Sequence, residues 1–211
     1  MAKKCTVEIV GGFLSWGKTS FINAYLEETL TKDEKVLIMQ CEKGNTEIRD
    51  DLKSDDRVVI KEFRSNAQID KRVLNRAINF HEPHRIIIEA NGVQTVNNLI
   101  ENVDASKGSL GALFVIVDGR IIEIFLKSMG AIILSYIHRA NMIIINNCGD
   151  LLDEKKNKVE DTIMNLNRDS YILISKSIDS LQEEIKSSKI ISKGIYKMIT
   201  DYFKNMWIGG G

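Results

Sequence analysis

The chain has 211 residues, 29 basic against 29 acidic, and three widely spaced cysteines, Cys5, Cys41 and Cys148. That length suits one α/β domain, with or without a small appendage, and holds a core large enough to need no disulfide or metal staple. Balanced charge excludes the basic footprint of a nucleic-acid binder, and an odd, scattered set of cysteines points to a reducing, cytoplasmic setting.

In chain order, short apolar runs alternate with helical patterns. The opening "MAKKCTVEIVGG" has no long apolar core and no cleavage signature, so it reads as a first strand and not as a signal peptide. Strands are expected at 5–10, 35–40, 57–63, 85–90, 112–118, 141–146 and 170–175. Helices are expected at 18–30, 66–80, 93–102, 120–137, 154–167 and 178–187. Near-continuous Val, Ile and Leu runs are the mark of strands buried on both faces. Repeated βα spacing then implies a doubly wound, mainly parallel α/β sheet of about seven strands with helices on both faces. The most apolar longer stretch, Met129 to Asn147, is broken by His138, Arg139 and Asn141 and fails as a membrane span. We expect one domain over 1–189. Beyond it, residues 190–211 carry apolar positions at helical spacing and then a glycine tail, an amphipathic helix over the sheet.

The first strand runs into Gly12-Phe13-Leu14-Ser15-Trp16-Gly17-Lys18-Thr19, which matches G-x-x-x-x-G-K-[ST] without a substitution and opens a helix. In that context the backbone N–H groups of Leu14, Ser15, Trp16, Gly17, Lys18, Thr19 and Ser20 form a nest for phosphate oxygens at the positive end of the helix. Lys18 is expected on the β- and γ-phosphates, and the Thr19 hydroxyl on Mg²⁺. Trp16 fits such a loop if its ring faces outward, where it is free to pack on a base or a partner.

Later strand ends refine this. "RIIIEA" ends in Glu89-Ala90-Asn91-Gly92. A carboxylate there can hold Mg²⁺ or its water, and Gly92 can offer its N–H to a γ-phosphate. "NMIIIN" runs into Asn147-Cys148-Gly149-Asp150, which carries the Asn and Asp of the guanine-reading N-K-x-D but not its Lys. A register starting at Asn146 has no Asp in place. Ser175 and Lys176 end the next strand, where a further base contact is expected. These hints favour GTP over ATP.

The assembled residues resemble the CobW/HypB/UreG family of GTPases. "VGGFLSWGKTSFIN" is similar to its "GFLGxGKTTLLN", Cys41-Glu42-Lys43-Gly44 to its Asn-Glu-Phe-Gly, "IIIEANG" to its strand with E-x-x-G, "FVIVDGR" with Asp118 to its "VVDA", and "IIINNCGDL" to its "NKxDL". The resemblance covers about Thr6 to Ser177. It implies a GTP-hydrolysing switch that assists maturation of a partner metalloenzyme, with Mg²⁺ as cofactor and dimerisation around the nucleotide in many members. It places Glu42 in a switch segment near the Mg²⁺ and γ-phosphate, so Lys18, Glu42 and Glu89 are the expected catalytic set and Thr19, Glu42 and Glu89 the expected Mg²⁺ set.

The departures concern cargo. "KEFRSNAQ" stands where CobW-type members have C-x-C-C, no histidine-rich tail follows, and the chain stops soon after the nucleotide domain. Transition-metal cargo therefore has no motif behind it. Cys41 and Cys148 both fall at strand ends where they could approach each other, but without metal-ligand spacing. Two other readings stay open: an ATP-using, kinase-like P-loop enzyme, and a nucleotide-binding interaction module that does not hydrolyse.

Overall fold

The structure is a computed structural model, and it describes residues 5–187. The expected tail helix at 190–207 lies outside the described residues. Seven strands form one parallel sheet: β1 (Thr6–Gly11), β2 (Val36–Gln40), β3 (Val58–Glu62), β4 (Arg85–Glu89), β5 (Ser109–Asp118), β6 (Met142–Asn146) and β7 (Tyr171–Ile174). Their order is β3-β2-β4-β1-β5-β6-β7. The central strands β4 and β6 are buried along their whole length, which is why they read as unbroken aliphatic runs and not as alternating ones.

The helices are α1 (Lys18–Thr29), α2 (Asp50–Lys53), α3 (Lys71–His81), α4 (Asn97–Asp104), α5 (Ile122–Ser128), α6 (Gly130–Ile137), α7 (Asp153–Leu166) and α8 (Leu181–Ser187). Among the described residues none is long and apolar enough to cross a membrane.

Several boundaries differ from the expected ones for local reasons. The helix expected from 66 begins instead at Lys71, because the Asp70 carboxylate accepts the Val73 N–H at 2.8 Å and caps it there. It ends at Glu82 in the left-handed region, one residue before Pro83. The helix expected over 120–137 is two helices, broken at Met129 ahead of Gly130. The helix expected from 93 starts at Asn97, since the Asn91 and Gln94 stretch is tied by hydrogen bonds to Asn66 and Tyr136 instead. β5 starts earlier than expected, at Ser109, and the register slips at Gly111, which looks like a strand stop in sequence and is a bulge in space.

The strand order places the site. β1 lies between β4 and β5, so the connections leaving the sheet on either side of it diverge. The carboxyl end of β1 opens into the crevice where open α/β sheets bind ligands. Register aligns Val10 with Glu89 on one side, and Gln40 with Glu89 beyond it. Asp118 lies level with Asn146 on the other side.

Candidate functional site

The loop after β1 curls under three positive φ angles, at Gly12 (136°), Ser15 (62°) and Gly17 (103°). Gly17 has no alternative: a Cβ there would sit in the left-handed region and 2.8 Å from the Asn146 amide nitrogen. No side chain caps α1, so its first-turn N–H groups keep the positive end of the helix available to an anion.

Lys18 is only 4 % exposed and uses all three ammonium protons. Its Nζ donates to the Gly12 carbonyl at 2.8 Å, the Phe13 carbonyl at 3.0 Å and the Glu42 carboxylate at 2.5 Å. Next to it the Thr19 hydroxyl donates to Glu89 at 2.6 Å. The Gln40 amide donates to the other oxygen of Glu89 at 2.7 Å. Burial raises the Glu89 carboxyl above its ordinary range, against the Thr19 and Gln40 hydrogen bonds and the Lys18 charge, while Glu42 adds to the rise. Lys18, Thr19, Glu42 and Glu89, with Leu14, Ser15, Gly17, Gly44, Asn45, Thr46 and Ile178, line one cleft that is partly open to solvent. The Thr19 hydroxyl and the Glu42 and Glu89 carboxylates among them are hard oxygen donors, which fits Mg²⁺ and not a soft metal. When bound, Mg²⁺ supplies positive charge against the phosphate oxygens.

Residues that the sequence reading passes over hold this set in place. Asn23 on α1 accepts from the Arg49 N–H and donates to the Glu47 carbonyl, pinning the far end of the segment 41–49. Asn66 accepts the Asn91 N–H at 2.6 Å and returns a bond to the Asn91 carbonyl. The Tyr136 hydroxyl donates to the Gln94 carbonyl at 2.9 Å. Together they fix the loop that carries Gly92 against the backbone of Gly12 and Phe13. Asn23 and Tyr136 are polar groups on otherwise apolar helix faces, whereas Asn66 sits in a polar stretch where nothing in the sequence singles it out.

Trp16 corrects an expectation. Its ring faces inward, 2 % exposed, in a three-ring cluster with Phe13 and Phe125, so it packs on neither base nor partner. Indole burial leaves the Trp16 carbonyl to accept a 3.0 Å hydrogen bond from Asn146.

On the base side, Asn146 and not Asn147 ties the strand end to the phosphate loop. Asn147 lies at φ 59° and turns its amide to Asp118. Burial works to raise the Asp118 carboxyl, but the Arg120 and Asn147 hydrogen bonds outweigh it and hold the group below its usual range. The Cys148 and Gly149 N–H groups donate to the Ser175 and Lys176 carbonyls, so the two base-side loops are joined. The Ser175 hydroxyl turns into its own loop, donating to the Ser177 carbonyl, and Asp150 is exposed. Cys41 and Cys148 do not meet. They follow β2 and β6, with three strands between, about 19 Å along the sheet. Burial pushes the Cys41 thiol up to about 12. Among the described residues no group of three or more His, Cys, Asp or Glu side chains is placed to hold a metal ion.

A structure search finds similar folds. A Zn(II)-bound triple mutant of the YjiA GTPase aligns with a TM-score of 0.59 at 16 % identity, over 80 % of this chain and 57 % of that one. The signal recognition particle 54 kDa protein from Aeropyrum pernix K1, in complex with GDP, aligns with a TM-score of 0.50 at 13 % identity, over 97 % and 50 %. At these identities the likeness establishes the P-loop NTPase fold. This chain spans little more than half the length of the first and half that of the second. No curated protein sequence matches the chain. The family model for the CobW/HypB/UreG nucleotide-binding domain matches residues 6–174, and with most of its length inside that match the chain belongs to the CobW/HypB/UreG family of P-loop GTPases.

Proposed function

We propose that the chain binds GTP with Mg²⁺ and hydrolyses it slowly on its own, as a cytoplasmic switch that assists the maturation of a partner metalloenzyme. The observation that carries this is the convergence of Lys18, Thr19, Glu42 and Glu89 on one cleft beneath the uncapped start of α1. The phosphate chain sits on the loop N–H groups of 14–20, and the Lys18 ammonium stabilises the charge that develops on the phosphate oxygens during hydrolysis. Glu89 orients the Thr19 hydroxyl toward the cation. Glu42, on the segment 41–49, and Gly92, on the loop 90–96, face the terminal phosphate from two sides, so its loss releases both segments. Leu14 stands exposed on the lip of the cleft and Val93 is exposed next to Gly92, apolar surface on which a protein partner or a second copy would close the site.

A second reading, ATP use, is favoured by one observation: Asn147 is committed to Asp118 and Asp150 lies exposed, so the guanine-reading pair is not preassembled. Calorimetric titration with GTP and ATP in Mg²⁺ decides between them. We expect GTP to bind more tightly. Lys18→Ala should lose on the order of 100-fold in affinity, the worth of a charge-assisted contact to phosphate. Equal affinity for ATP would move the assignment to the second reading, and binding without turnover, with or without a partner, would leave a non-hydrolysing module.

A further inference from the structure

We infer that Glu42 makes capture of the nucleotide conditional on its divalent cation, acting as an internal occupant of the phosphate site. The inference rests on the nucleotide-binding reading above. Among the described residues Lys18 is the one ammonium lining the cleft, and its three protons are all taken: two by backbone carbonyls of its own loop and the third by Glu42. A phosphate oxygen can reach Lys18 only by replacing one of these acceptors. The carbonyls of Gly12 and Phe13 belong to the loop that must stay formed to bind phosphate at all. Glu42 belongs to the segment 41–49, which is fixed at Cys41, whose N–H donates to the Glu89 carbonyl, and at Glu47 and Arg49, which Asn23 clasps. Residues 43–47 between these points are exposed. Glu42 is therefore the acceptor that yields.

Its displacement leaves a carboxylate, mostly buried, beside an incoming polyphosphate and close enough to Glu89 for the two carboxylates to repel. Removing one partner of a buried ion pair is costly because the remaining charge stays desolvated. A free polyanion adds to that cost, whereas a polyanion carrying Mg²⁺ brings the cation that the displaced Glu42 needs. The site thus selects the cation complex over the free nucleotide. In Glu42→Gln the neutral amide keeps the shape and one acceptor oxygen but gives up Lys18 without stranding a charge.

The test is titration of the full chain and of Glu42→Gln with GTP and with inorganic tripolyphosphate, each in Mg²⁺ and in EDTA. In the wild-type chain we expect affinity to fall on the order of 100-fold from Mg²⁺ to EDTA for both ligands. In Glu42→Gln the EDTA affinity should rise, shrinking that ratio to roughly tenfold or less. Tripolyphosphate carries no base, so a matching change there locates the effect at the phosphates. Matching thermal melting of the two proteins shows that the variant is folded. Glu42→Gln binding weakened in Mg²⁺ and unchanged in EDTA would make Glu42 a plain ligand of the cation, and a loss alike in both buffers would make it a support of the cleft's shape; either result overturns the inference, as would wild-type binding indifferent to Mg²⁺. A wild-type chain that binds GTP in neither buffer would overturn the nucleotide reading itself along with it.

Discussion

Gly92 has no room for a side chain. A Cβ there would lie 2.2 Å from the Gly12 carbonyl oxygen and 2.6 Å from the Phe13 Cα, both backbone atoms of the phosphate loop. Neither can swing aside as a flexible side chain would, so Gly92→Ala must push two loops apart. We expect it to destabilise the protein by about 1–3 kcal/mol, the usual cost of overpacking, and to weaken GTP binding further because the displaced loop is the phosphate cradle. Gly44 is the control on the facing segment. A Cβ there meets only the Leu14 side chain at 3.7 Å, an ordinary contact, so Gly44→Ala should change stability by no more than about 0.5 kcal/mol. Urea unfolding and GTP titration of the two variants check this, and equal effects would refute the packing argument. Both glycines stand out in sequence as motif positions, and sequence alone does not separate them. Whether a glycine is required depends on what approaches it, and the loop that approaches Gly92 lies 80 residues earlier in the chain. The two asparagines after β6 pose the same problem. Their spacing to Asp150 suggests Asn147, but the residue whose side chain reaches the Trp16 carbonyl is Asn146, because the left-handed backbone at 147 turns the next side chain away.

At the scale of elements, α5 is a seven-residue helix that buries Ile122 in the core and meets the phosphate loop through Phe125. Phe125 sits 4.7 Å from Phe13 and 5.0 Å from Trp16, ring centre to ring centre, and so backs the phosphate loop from behind. Phe125→Ala should cost about 2–4 kcal/mol, toward the low end for a phenylalanine because the ring is only partly buried. Its GTP affinity should fall as well, and Trp16 emission should shift to the red as water reaches the indole. Phe80→Ala, at a ring 79 % exposed on α3, should do neither. Unchanged GTP affinity in Phe125→Ala would mean that the loop keeps its shape without the cluster. The strands are legible in the sequence because burial on both faces leaves an unbroken aliphatic run. Helix ends are less so: a cap such as Asp70 or a break such as Met129-Gly130 is decided by one or two residues, and the apolar period runs through them. The inward turn of Trp16 is hidden for a related reason, since its burial depends on α5, an element about a hundred residues away.

At the scale of the whole molecule, the parts proposed to bind nucleotide and the parts that anchor the fold are separated along the strand direction. The carboxyl ends of β4, β1, β5 and β6 carry Glu89, the phosphate loop, Asp118 and Asn146. A different polar cluster serves the middle and opposite end of the sheet. There Arg85 at the start of β4 donates to Thr29 and Glu34, and the Tyr25 hydroxyl donates to the buried Glu8 of β1 at 3.0 Å. This cluster ties α1 to the sheet and takes no part in lining the cleft. Nucleotide binding should therefore stabilise the fold from one end. At a GTP concentration about 100 times the dissociation constant, the gain is about 2.7 kcal/mol, which for a chain of this length corresponds to a rise in Tm of roughly 5–10 °C. The gain should be unevenly distributed. In hydrogen exchange, GTP with Mg²⁺ should slow residues 12–20 and 41–49, which line the cleft, and 90–96, the loop packed against Gly12 and Phe13. The edge strands β3 and β7 and the turn at Glu82–His84 should exchange as they do without ligand until global unfolding limits them. A melting shift without protection of 41–49 would separate that segment from the bound phosphates and break the link between nucleotide state and the exposed surface that a partner would read. Protection spread evenly over the sheet would mean that the ligand acts on the fold as one unit, with no switch segment to release.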